Sequence, residues 1–95
     1  MKLALYSSVP RSDAPNLVAL QDEALAAVPT VLVCPLKAGV ALTALRAEVS
    51  WGGQVLIACT ELARPIRRTA LRPMGWLDDA ASRAIMDRFH RLLAR

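Results

Sequence analysis

The sequence predicts a mainly β fold with one C-terminal α-helix, a small antiparallel barrel or half-open sheet of roughly five or six short strands against which the helix lies. Three observations predict it. Ala81, Ile85, Phe89 and Leu92 recur at helical spacing within Leu77 to Leu93, while Arg83, Asp87, His90 and Arg91 fall on the opposite face. Gly52-Gly53 separates two strand-like runs and supplies the positive dihedral angles of a tight hairpin turn. Thr30 to Cys34 is almost wholly β-branched or bulky aliphatic, the composition of a strand buried on both faces.

Taken in order, Leu3 to Tyr6 is a first strand, closed by Ser7, Ser8 and Pro10. Arg11 to Asn16 is polar, contains Pro15 and reads as a loop, and Leu17 to Leu20 returns as a second strand paired with the first. Gln21, Asp22 and Glu23 interrupt the apolar pattern, and Ala24 to Ala27 is compatible with one helical turn before Pro29. The central strand Thr30 to Cys34 follows, ended by Pro35, with a turn over Lys37 to Gly39. From Leu42 to Trp51, Leu45, Ala47 and Val49 alternate with Arg46, Glu48 and Ser50, a strand with one wet face. Gln54 to Thr60 is its hairpin partner. Glu61 to Pro65 is a loose turn, Ile66 to Arg72 gives a last strand pair, and Pro73 and Gly75 lead into the helix. The helix starts where Asp78 or Asp79 can cap the free amides of its first turn, and Arg88, Arg91 and Arg95 suit its negative C-terminal end.

Ninety-five residues support one domain over residues 1–95 with a modest core. Hydrophobic residues make up 55% of the chain, yet no apolar run approaches the roughly 20 residues needed to span a bilayer, and Ser7, Ser8 and Pro10 break up the N-terminal run too early for a signal peptide. A cytoplasmic location with no membrane contact is the expectation. Cys34 and Cys59 lie in apolar runs where a free thiol acts as a small hydrophobe. One histidine and two cysteines argue against a zinc site, and no metal or cofactor is expected. The net charge of +4 is C-terminal: residues 1–60 carry four basic and four acidic groups, residues 61–95 eight and four. Such a gradient suits nucleic acid, an acidic partner or plain solubility. Tyr6, Trp51, Trp76 and Phe89 are too few for a base-stacking platform.

Against this pattern the opening Met1 to Leu36 resembles the CcdB family of toxins from toxin–antitoxin modules. The resemblance lies in Tyr6 near the first strand's end, Val18 and Gln21 within Val18 to Leu25, and Pro35-Leu36 at the close of the central strand. The hairpin at Gly52-Gly53 and the helix start at Leu77-Asp78 fall in similar places, with a shortened middle. The resemblance implies a homodimer of SH3-like barrels that binds the A subunit of DNA gyrase, inhibits it without catalysis, and is neutralised by a cognate antitoxin. Its target-binding residues here are Ala24, Leu25, His90, Leu93, Ala94 and Arg95. The well-known members end in Trp-Gly-Ile, whereas this chain ends Leu93-Ala94-Arg95 and lacks that aromatic anchor.

The competing resemblance is to the MazF and PemK toxins, which share the barrel and cut single-stranded RNA with an arginine and a hydroxyl. Here the hydroxyl expected after Pro35-Leu36 is Lys37 and the first-loop Arg-Pro is Ala14-Pro15, leaving Arg11 and Thr43 as substitutes. Arg64, Arg67 and Arg68 form the densest basic cluster, and Arg67, Arg68 and Arg91 are the expected contacts of an acidic antitoxin. His90 beside Asp87 reads as a solvated surface histidine, and Trp51 and Trp76 as core or dimer-interface residues.

Overall fold

The computed structural model describes residues 1–21 and 28–94 of the chain. Seven strands and one helix run in the order β1 (Ala4–Ser7), β2 (Leu17–Ala19), β3 (Thr30–Lys37), β4 (Arg46–Trp51), β5 (Gln54–Cys59), β6 (Arg64–Arg67), β7 (Arg72–Trp76) and α1 (Asp79–Leu93). The strands pair antiparallel in the order β4-β5-β3-β2-β1-β7, with β6 also on β3. The result is a half-barrel with one C-terminal helix, as the sequence predicts. The helical turn expected at Ala24 to Ala27 lies outside the described residues.

β3 organises the sheet. Its first half pairs with β6, from Thr30↔Arg67 to Val33↔Arg64, and its end pairs with β5 at Leu36↔Ala58 and Lys37↔Ile57. Between those two partners the chain makes a 3-10 turn at Thr60–Leu62, where a loose turn was expected from Glu61. The strand runs through Pro35 instead of stopping there. The Leu36 amide donates to the Asn16 carbonyl on the β2 side, so the Pro35 nitrogen faces the edge where β6 gives way to β5, and no ladder bond is required of it.

Two more expectations need correction. Leu42 to Leu45 is not strand: the Arg46 amide donates to the Thr43 carbonyl at 3.1 Å, a turn that delays β4 to Arg46. The last strand pair is not confined to Ile66 to Arg72 either. β6 ends at Arg67, a 3-10 turn covers Arg68–Ala70, and Pro73 and Gly75 sit inside β7. β7 is an edge strand, which tolerates proline, and its pairing with β1 shifts by one residue between Leu5 and Tyr6, a bulge beside Gly75 at φ 124°.

Both faces of the sheet are covered. Leu3, Leu5, Val18, Cys34, Leu36, Val49 and Ala58 form one apolar layer with Ile85 and Phe89 of the helix. Tyr6, Leu17, Val31 and Val33 form a second layer, under Ile66 and Leu71 of the segment that crosses from the β3 edge to the β1 edge. Burial on both sides explains why β1 and β2 show no apolar–polar alternation. Asp78 is the helix cap, its Oδ1 accepting from the Ala81 amide at 2.7 Å. Ser82, fully buried, accepts from the Leu3 amide at 2.9 Å and ties the helix to the first strand. Leu93, in the last turn of the helix, is 65% exposed.

Candidate functional site

The segment from Arg64 to Arg72 carries four of the chain's arginines on one crossover. β-Pairing fixes its start, because Arg64 and Arg67 are register partners of Val33 and Thr30. Burial of Ile66 and Leu71 fixes its middle. Its 3-10 turn is pinned by Arg68, whose Nε donates to the Val28 carbonyl at 2.7 Å and whose amide donates to the Pro29 carbonyl at 2.9 Å. Its end is held by the Arg72 guanidinium, which donates to the Ser12 carbonyl.

Three depressions line this crossover. The first is walled by Pro35, Lys37, Leu62 and Arg64. The second, of about 340 Å³, is walled by Pro29, Thr30, Arg67 and Thr69. Thr69 also borders the third, which reaches Ser7, Ser8 and Arg72. A cation lines each of the three, hydroxyls line the second and third, and among the described residues no carboxylate borders any of them. A polyanionic strand is the ligand that such a track favours. In the second depression Thr30 and Arg67 stand opposite each other across β3 and β6, with side chains on one face about 5 Å apart at Cβ. An exposed guanidinium thus sits beside two hydroxyls, those of Thr30 and Thr69, an arrangement able to hold a phosphate and orient a sugar hydroxyl.

The residues expected from sequence are distributed differently. Arg11 is exposed in the β1–β2 loop with φ 61°. Thr43 lies in the turn before β4, where its Oγ1 accepts a long hydrogen bond, 3.4 Å, from the Leu45 amide. β2, β3 and β5 separate their strands in the pairing order, and among the described residues no hydrogen bond, ion pair or cavity wall joins them. The structure does not bring this pair together. Arg67 and Arg68 are adjacent on the crossover, whereas Arg91 lies on the helix, where it approaches the Ala44 carbonyl at 3.4 Å. His90 and Asp87 are both exposed on α1, and no ion pair joins them among the described residues. Leu93 and Ala94 are exposed at the helix end, while Ala24, Leu25 and Arg95 fall outside the described residues.

Sequence reasoning singled out Arg64, Arg67 and Arg68 but missed Thr30, Thr69 and Arg72. The signal for Thr30 was present only as a strand residue, because its pairing with Arg67 depends on a register that spans 37 residues. Cys34 and Cys59 are buried free thiols, and burial, with Cys59 and Glu61 adding to it, pushes Cys34 up to about 12. They are core, not nucleophiles. Arg46 is paired with Glu61 at 2.8 Å, a bond that raises the Arg46 pKa further.

No family model matches the sequence, and no curated protein matches it. Among solved structures it is similar to "Mycobacterium tuberculosis toxin MazF-mt6", with a TM-score of 0.76 over 99% of this chain and 97% of that one, at 16% identity. The fold is MazF-like. At that identity the likeness is one of architecture.

Proposed function

We propose that this chain is the toxin of a toxin–antitoxin pair and that it cleaves single-stranded RNA as a MazF-like endoribonuclease. The observation that carries the reading is the whole-length likeness to a solved MazF toxin. The carboxylate-free basic track supports it, since an RNA strand needs such a path. The gyrase reading has no comparable support, because the likeness found is to a MazF toxin.

In the cleavage step the ribose 2′-OH attacks the adjacent phosphorus, the 5′-oxygen leaves, and a 2′,3′-cyclic phosphate and a 5′-hydroxyl result. Arg67 stabilises the charge that gathers on the non-bridging oxygens, and Thr30 or Thr69 accepts a hydrogen bond that orients the 2′-OH. Lys37, Arg64 and Arg72 hold the flanking phosphates. An acidic antitoxin segment that covers Arg67 and Arg68 blocks the track by occupying it. The same reading carries a homodimer, and a monomeric mass by light scattering at micromolar concentration refutes that part.

The test is cleavage of a fluorogenic single-stranded RNA with randomised sequence, run beside a gyrase supercoiling assay. The wild type is expected to cut RNA and leave supercoiling intact, and Arg67→Ala to lose roughly 100- to 1,000-fold in rate. Arg11→Ala and Thr43→Ala are expected to stay within a few-fold of wild type. Inhibited supercoiling without RNA cleavage would return the protein to the gyrase reading.

A further inference from the structure

The two ends of the sheet border one groove. Among the described residues β4 and β7 terminate the pairing order, and both border one groove of about 470 Å³ at the start of α1. Its walls include Trp51 from the end of β4 and Trp76 from the end of β7, with Glu48 and Ser50 on one rim and Asp78 and Ala81 on the other. Trp76 is 57% exposed, which leaves a large indole surface in water without a packing role.

The charge of this groove opposes that of the chain. The molecule carries twelve basic and eight acidic groups, yet among the described residues the groove is lined by two carboxylates and by no cation. A helix N-terminus ordinarily favours an anion, but here the cap itself supplies one, since the Asp78 carboxylate accepts from the Ala81 amide. Two tryptophans and two carboxylates favour a cation instead, because the face of an indole ring attracts a guanidinium or ammonium group. The flanking strands select the carrier. β4 pairs with β5 along its whole length and with no other described strand, so its outer backbone groups can hold an extended segment by strand addition.

We propose that the groove between β4, β7 and the start of α1 is a docking site for an extended segment of a partner protein that sets an arginine or lysine side chain between Trp51 and Trp76. This site is independent of the basic track and of the nuclease reading. The occupant is a basic peptide, opposite in charge to what the Arg64 to Arg72 crossover attracts. The protein therefore carries two surfaces of opposite preference.

Trp51 and Trp76 are the chain's two tryptophans, so intrinsic emission reports on the groove without background. The experiment titrates the full chain with pools of non-aromatic pentapeptides whose centre is arginine, lysine, citrulline or glutamate. Saturable emission changes are expected with arginine and lysine, at least ten-fold weaker with citrulline, and absent with glutamate. Trp76→Ala, followed through Trp51, is expected to weaken the arginine pool roughly 2- to 30-fold, and Glu48→Gln to weaken it and flatten its salt dependence. Circular dichroism checks that both variants, changed at exposed positions, stay folded. Equal response to citrulline, or no saturable response to arginine and lysine at millimolar concentration, overturns the proposal. So does saturation by a single-stranded RNA, which makes the groove a nucleic-acid site. An emission change on dilution without peptide would give the groove to a second copy and overturn it as well.

Discussion

Ser82→Ala isolates a single bond that joins the two ends of the chain. Ser82 is fully buried and its Oγ accepts from the Leu3 amide at 2.9 Å, so the alanine leaves a backbone N–H in an apolar layer without a partner. A stranded buried donor costs about 1–3 kcal/mol, whereas the lost oxygen is too small to leave a costly cavity. For a domain of this size each kcal/mol lowers Tm by about 4–8 °C, which places the expected drop near 4–24 °C. Thermal unfolding followed by far-UV circular dichroism reads it directly. The neighbouring variant Arg83→Ala serves as the reference: Arg83 pairs with Asp79 at 2.9 Å on an exposed helix face, and losing such a pair costs only a few tenths of a kcal/mol. If the two variants melt together, the Leu3 amide has found water and the argument from burial fails.

Gly53→Ala tests the hairpin. Gly52 and Gly53 both have positive φ, 55° and 79°, and a Cβ at either meets nothing within 4 Å, so the cost is backbone strain alone, about 1–2 kcal/mol. Gly53→Asn is expected to recover most of it in the same denaturant titration, and equal loss for both variants would point to a different cause. Cys34 sets an alkaline limit. Its folded value lies above the ordinary 9.0, at about 12, so the folded state keeps its proton longer than the unfolded chain does. The stability conferred below pH 9.0 is therefore lost as pH climbs from 9.0 toward about 12. Cys34→Val is expected to lose less stability than wild type between about pH 8 and about pH 10.5, and parallel curves would refute the assignment.

Local chemistry made much of the fold legible. The helix stripe, the Asp78 cap and the Gly52-Gly53 hairpin each depend on residues within a turn or two of one another, and all three stand as the sequence implies. What stayed hidden depends on distant partners. Pro35 lies within a strand because the edge it faces changes partner there, and Pro73 and Gly75 form an edge strand because β1 waits to receive it. The candidate site divides the same way. The arginines at 64, 67 and 68 stand out as a cluster in the sequence, but the hydroxyls that meet them come from Thr30, brought in by register, and from Thr69, placed by a 3-10 turn. Arg11 and Thr43 answered to a family's spacing, and the sheet order separates them.

The closing pair of strands also governs when the protein comes into being. β1 precedes the other described strands in the chain, yet its outer neighbour is β7, through pairs from Ala4↔Trp76 to Ser7↔Arg72, about seventy residues later. A ribosome adding about 5–20 residues per second leaves β1 without that neighbour for roughly 4–14 s. Throughout that interval the nascent chain lacks Arg72 anchored at Ser12 and Ser82 seated on Leu3. Pairing along the outer side of β1 thus waits on Arg72 to Trp76, and a chain that lacks them has neither Arg72 on Ser12 nor Trp76 beside Ala4.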